Sequence, residues 1–217
     1  MKIKDIEISW LGHAGFKIKT TSKTIYIDPY QIAPGEKADI ILITHGHFDH
    51  CSIEDIRKII KPGTKIFCTP DCQSTIAKID TKVEIQLTYP EKEFCIGEIK
   101  IKAIPSYNTN KKFHSKNENY VGYLIQTKEA AIYHAGDTDL IKEMQYINPR
   151  KEFVVLLPVG GTYTMNAEEA AKAAGIIKPS LAIPMHYGSI VGSPDDAKKF
   201  VELCKKKGIR AEILEKE

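Results

Sequence analysis

"ILITHGHFDHCS", residues 41–52, places three histidines and an aspartate within six positions directly behind an apolar run, in a chain that has seven histidines altogether. In a helix, positions two apart do not share a face, so His45, His47 and Asp49 could not converge there. In extended backbone every second side chain points the same way, and they can. The stretch therefore reads as a buried strand, "ADIILIT", running into a loop that aims His45 and His47 together, with Asp49 and His50 at the turn into a helix. Ser52 and Asp55 resemble a capping box that starts this helix immediately behind the ligands. The geometry suggests two neighbouring groups of ligands. Imidazole nitrogen and carboxylate oxygen suit zinc, iron or manganese, and two ions roughly 3.5–4 Å apart can hold one hydroxide between them.

A metal pair needs further ligands from elsewhere in the chain. "YHAGDTD" places Asp137 beyond the strand "AAIYHAG", and "IPMHYG" places His186 at the end of the strand "LAIPMH". All three segments sit at strand ends, which one shared rim would bring together.

Around them, short β-branched runs recur between turn residues, among them "IEISWLG", "FKIKT", "TIYIDP", "KIFCT", "VEIQL", "EIKIKAI", "YVGYLIQT" and "FVVLLPV". Helical patterns are expected over residues 52–60, 71–79, 139–147, 166–177 and 194–208. The alternating runs read as antiparallel sheet, while "ADIILIT" and "FVVLLPV" read as strands covered on both faces. An α/β chain with sheets packed on each other and helices outside would accommodate both kinds of strand. Residues 106–119, "SYNTNKKFHSKNEN", are polar and without periodicity, and loops of that length in a compact domain tend to be functional.

A chain of 217 residues suits a single domain over residues 1–217. Its 31 basic and 28 acidic side chains nearly cancel to +3, which argues against a nucleic-acid partner; "KKK" at 205–207 reads as a solvated helix face. No apolar run approaches the roughly 20 residues that span a bilayer, and "MKIKDIEISW" lacks a signal peptide's apolar stretch, so a cytoplasmic protein is expected. Five irregularly spaced cysteines, an odd number, fit a reducing compartment. Cys68 and Cys72 read as buried apolar residues, and so does Cys51, although it adjoins the histidines.

The motifs "WLGHAGF", "TIYIDPY", "THGHFDH", "YHAGDTD", "LLPVGGTYTMNAEEAA" and "IPMHYG" resemble those of the metallo-β-lactamase superfamily of metal-dependent hydrolases. The branch they look most similar to is that of small hydrolases related to L-ascorbate-6-phosphate lactonase. The resemblance implies a four-layer αβ/βα sandwich with the metals at one edge. It makes His45 and His47 ligands of a first metal, Asp49, His50 and His186 ligands of a second, and Asp137 a bridge between them. Asp28 becomes the aspartate that supports the metal loop through hydrogen bonds. One departure stands out, because the family's next histidine usually follows closely after a strand and here "EIKIKAIP" runs into "SYN". Either the polar loop folds back to deliver His114 to the first metal, the favoured reading, or that metal lacks a third histidine.

The reaction expected from this set is hydrolysis of an ester, lactone or phosphodiester of a small-molecule substrate, on a pair of Zn2+ ions, with Mn2+ or Fe2+ as the other candidates. Asp49 is the expected proton acceptor, and His134, His114 or Tyr187 the expected donor to the leaving group. His13 is expected near the site, orienting a carboxylate. Two rival readings stay open: an iron-dependent redox enzyme on the same scaffold, and a non-catalytic metal-binding module. A homo-oligomer is compatible with the sequence and no membrane contact is expected.

Overall fold

The computed structural model describes residues 1–217 as two mixed sheets packed face to face between helices. Sheet 1 runs in chain order through β1 (Lys2–Ile3), β2 (Ile6–Gly12), β3 (Gly15–Lys19), β4 (Thr24–Ile27), β5 (Ile40–Ile43), β6 (Lys65–Cys68) and β7 (Glu84–Leu87). Its first four strands pair antiparallel and its last four parallel. Sheet 2 holds β8 (Glu93–Ile96), β9 (Ile99–Pro105), β10 (Val121–Gln126), β11 (Ala130–His134), β12 (Glu152–Pro158) and β13 (Leu181–Met185), in the order β13-β12-β11-β10-β9-β8. Here β8 to β11 pair antiparallel and β11 to β13 parallel.

β5 shows why the fold closes as it does. All four of its residues are fully buried. Ile40 and Leu42 join the larger core of 47 residues between the sheets, whereas Ile41 and Ile43 join a smaller core of 14 under α1 (Ile53–Ile59) and the one-turn α2 (Gln73–Ile76). A strand with apolar residues on both faces has to lie inside a stack, as the sequence reading anticipated. On the outer side of sheet 2, α3 (Ala167–Ile177) lays a stripe of alanines over β12, and α4 (Pro194–Lys206) packs on α3 and β13.

Four of the helical expectations are met in whole or part, and one needs correcting. Asn166 and Glu169 form a full capping box at α3. Ser52 caps α1 by accepting from Asp55 N–H, but the Asp55 carboxylate bonds the Ser52 hydroxyl and the backbone of another loop instead of closing the box. Residues 71–79 give only a 3-10 turn (Pro70–Cys72) and α2. Residues 139–147 form a 3-10 turn, Lys142–Tyr146, in place of an α-helix. Met144 within it and Ile141 and Ile147 at its two caps are buried at every third position, which suits three residues per turn and not 3.6. Cys51, Cys68 and Cys72 lie in the smaller core; a hydrogen bond with Cys72 and burial push the Cys51 thiol well up, which keeps it inert. No helix is long and apolar enough to cross a membrane.

Candidate metal centre

The rim where β5, β11 and β13 end carries the site. After β5, residues 44–51 turn tightly, with the His50 and Cys51 N–H groups both donating to the His47 carbonyl at 3.0 and 2.8 Å. Asp28, just past β4, organises this loop from below. It is wholly buried and accepts three bonds: from Thr44 N–H at 2.8 Å, from the Thr44 hydroxyl at 2.6 Å and from His50 Nδ1–H at 2.8 Å. A carboxylate can only accept, so His50 is left presenting Nε2 to the rim. Sheet 2 clamps the loop from above, as the Tyr123 hydroxyl donates to the Ile43 carbonyl at 2.9 Å and Val121 N–H to the Thr44 carbonyl at 3.2 Å.

Asp137 follows β11 across Gly136, which has φ +66° and where a Cβ would stand 2.8 Å from the Val121 carbonyl oxygen. His186 directly follows β13 at φ 57°, held by a bond from its N–H to the His13 carbonyl at 3.0 Å. The polar loop does fold back. Asn108 Nδ2 donates to the Phe113 and Tyr163 carbonyls at 2.9 and 2.7 Å, and His114 Nδ1 donates to the Tyr163 carbonyl at 3.2 Å, which turns its Nε2 toward His47.

Two clusters result. In the first, His45 Nε2 and His114 Nε2 lie 3.0 and 3.1 Å from His47 Nδ1. Nitrogens bound to one zinc at 2.0–2.1 Å would stand roughly 3.3 Å apart in a tetrahedron, so this trio is close to ligand spacing. In the second, Asp49 Oδ2 lies 2.8 Å from His13 Nε2, 3.5 Å from His50 Nε2 and 4.0 Å from His186 Nε2. Asp137 stands between them: Oδ1 is 3.4 Å from His50 Nε2, and Oδ2 is 3.1 Å from His186 Nε2 and 3.5 Å from His114 Nε2.

Whether a cation fits can be judged from what these atoms lack. His50 Nε2, Asp137 Oδ1 and His186 Nε2 are buried without a hydrogen-bond partner. An unmet buried polar atom costs about 1–3 kcal/mol, and three facing one another call for a shared partner of positive charge. The donor set of nitrogen and carboxylate oxygen suits a divalent transition metal. Titration behaviour agrees at His45 and His114, whereas at His50 burial is outweighed by the Asp137 and Asp28 carboxylates, which raise it well above the ordinary histidine value. Burial lowers the pKa of His45 well below the ordinary histidine value and also lowers His114, so both stay neutral and able to ligate. Burial alone would raise Asp137, but His186 and His50 outweigh it and hold the carboxyl well below the usual range. Asp49 is likewise held down, to about 2, where burial is outweighed by the bond from His13.

Residues 7–186 match the model of the beta-lactamase superfamily domain. The chain belongs to the beta-lactamase superfamily. Within it, the chain is similar to UPF0173 metal-dependent hydrolases: that of Thermococcus onnurineus is 35% identical, covering 96% of this chain and 95% of that protein. A second, from Pyrococcus furiosus, is also 35% identical and covers 90% of this chain and 92% of that one. Among solved structures, a metal-dependent hydrolase from Parabacteroides distasonis superposes with a TM-score of 0.83 at 30% identity, covering 97% and 94% of the two chains. Igni18, a metallo hydrolase from Ignicoccus hospitalis, shares the fold with a TM-score of 0.77 at 24% identity, covering 97% and 95%.

The superfamily's rim here gathers His45, His47, Asp49, His50, His114, Asp137 and His186, all the residues read from the sequence as candidate ligands. Two candidate catalytic residues are not at the rim. His134 is fully buried behind it, with Nε2 donating to the Ala14 carbonyl at 2.8 Å and Nδ1 accepting from Gly136 N–H at 3.2 Å. Both nitrogens are spent on backbone, so it has no proton to offer a substrate. Tyr187 stacks on Trp10 with ring centroids 5.2 Å apart and faces a second cavity beyond His13. Burial pushes its phenol up to about 12. The reading missed the cavity's walls, Phe48, Phe113, Tyr163 and Ile190. Only "PVGGTYTMN" hinted at Tyr163, through its paired glycines beside a strand end.

Proposed function

We propose that the chain is a metal-dependent hydrolase with a two-metal centre, residues 1–217 working as one catalytic domain on a small ester, lactone or phosphodiester. The observation that carries this is Asp137 lying between the two ligand clusters, its Oδ2 3.5 Å from His114 Nε2 of one and 3.1 Å from His186 Nε2 of the other. His45, His47 and His114 would hold one ion and Asp49, His50 and His186 the other, most simply zinc, with Asp137 shared. Bound there, such ions supply an acidified water and a charge that polarises the substrate oxygen.

The chain's own residues orient and exclude. Asp28 and Thr44 fix His50 and His45, so the ligands are preorganised and little reordering is needed on binding. Asp49, with its pKa near 2 and one oxygen held by His13, is a poor store for a proton; its place on the cavity floor suits accepting a hydrogen bond from the attacking water. Tyr163 supplies the only hydroxyl in the cavity lining and stands in for Tyr187 and His134 as the group that can hydrogen-bond a leaving oxygen.

The test is turnover of a panel of esters, lactones, thioesters and phosphodiesters by metal-analysed protein, alongside His47→Ala. At least one substrate should be cleaved, with activity and bound metal lost together on chelation and in the variant. Cleavage that survives both treatments would contradict the proposal.

A further inference from the structure

The cavity above the ligands occupies about 210 Å³, below the roughly 300–1,000 Å³ of pockets that enclose drug-sized ligands. Its wall is unusual for this surface. Eight large apolar side chains of the chain are exposed, and three of them, Phe48 at 67%, Phe113 at 52% and Ile190 at 39%, meet at this one mouth. They come from three separate loops, after β5, after β9 and after β13. Phe113 is braced edge-on by Tyr163 with centroids 5.3 Å apart, and Phe48 by Tyr30 at 5.9 Å. Leaving such rings in water forfeits the gain of burying them, so their convergence over a reactive floor marks a surface that something apolar covers.

What the lining lacks points the same way. No lysine or arginine is among its nine residues. Of the three lysines in the adjoining polar loop, Lys111 pairs with Asp139 and Lys116 with Glu143, and Lys112 lies outside the cavity lining. Lys216 lines the neighbouring cavity, which shares no lining residue with this one. A charged group carried away from the scissile bond would therefore lose its hydration against aromatic rings, without a partner to replace the lost water.

Building on the hydrolase reading, we propose that the substrate is a small ester or lactone whose portion remote from the scissile bond is uncharged and apolar, and that Phe48, Phe113 and Ile190 select it. The scissile carbonyl lies over His47, His114 and Asp137, and the alkyl or aryl group lies against the rim.

The experiment uses the metal-loaded protein and γ-lactones whose side chain lengthens from hydrogen to n-pentyl, together with analogues ending in a carboxylate or a phosphate. Straight-chain carboxylates from acetate to octanoate, titrated calorimetrically, give a readout that needs no turnover. Each added methylene should raise kcat/KM and tighten carboxylate binding by about four-fold until the chain leaves the rim. Phe48→Ala and Phe113→Ala, at unchanged metal content, should flatten both slopes, while Tyr146→Ala, at an exposed ring outside the cavity lining, should keep them. Flat slopes in the unmodified protein, or preference for the analogue ending in phosphate, would overturn the inference and leave the hydrolase reading standing. A steep, rim-dependent binding slope with no lactone cleaved would leave the inference standing and count against the hydrolase reading.

Discussion

Asp28 holds more of the site together than any ligand does. Its two oxygens take the Thr44 amide, the Thr44 hydroxyl and His50 Nδ1, all buried, so Asp28→Ala strands three donors at once. Partners of this kind are worth 10- to 100-fold in metal affinity, and a competitive chelator titration of Asp28→Ala should find a loss of about that size. Affinity equal to the unmodified protein would show that the loop holds its own shape. At this scale much was legible beforehand: the H-x-H-x-D-H spacing forces an extended turn, and Asp137 and His186 stand beside strand ends in the sequence itself. His134 misled because a histidine three residues before an aspartate looks like a neighbour of the metal, whereas β11 ends at His134 and the turn at Gly136 sends Asp137 outward alone. Phe48 was passed over for a comparable reason, since a ring inside a histidine motif looks like packing until the loop is seen to leave it in water.

Among the elements, the join between α1 and the loop after β4 rests on one carboxylate. Asp55 accepts from Gln31 and Ile32 N–H at 2.8 and 3.0 Å and pairs with Lys58 at 2.8 Å. Burial would raise its pKa, but Lys58, Ser52 and those backbone amides outweigh it and bring it below 3.8. A depressed carboxylate stabilises the fold fully above the unfolded value and loses that contribution as pH falls through the folded one. Urea unfolding should therefore show Asp55→Ala less stable by about 1–3 kcal/mol at pH 7, with the gap to the unmodified protein narrowing below pH 4. A gap that holds constant with pH would mean that Asp55 acts by packing. Gly160 belongs to the same scale, because a Cβ there would stand 2.5 Å from the His186 carbonyl. Gly160→Ala should cost about 1–3 kcal/mol in the same assay and displace His186, and an unchanged midpoint would show that the backbone gives way freely. The long, strongly patterned elements could be read from their periodicity, α3 and α4 above all. The two-residue β1 and the half-exposed β8 could not, since each owes its pairing to a neighbour and not to a pattern of its own.

Across the whole molecule, the alternation of paired sheets and outer helices follows from runs such as "ADIILIT" that need cover on both faces, but nothing in local periodicity selects a four-layer stack over other α/β arrangements. The superfamily resemblance made that choice, and the packing of Ile40 and Leu42 on one side of β5 with Ile41 and Ile43 on the other bears it out. The consequence is a rim where residues far apart in sequence, such as His50 and Asp137, bring together buried polar atoms that have no hydrogen-bond partner. Metal binding should then stabilise the fold, because the folded chain alone presents the site, and chelation should lower the midpoint of thermal unfolding. The most direct measurement is elemental analysis of the purified chain beside Asp137→Ala. Two divalent ions per unmodified chain, with the variant losing both, is the predicted result; a metal-free unmodified chain, or a variant that keeps its full complement, would contradict the shared role given to Asp137.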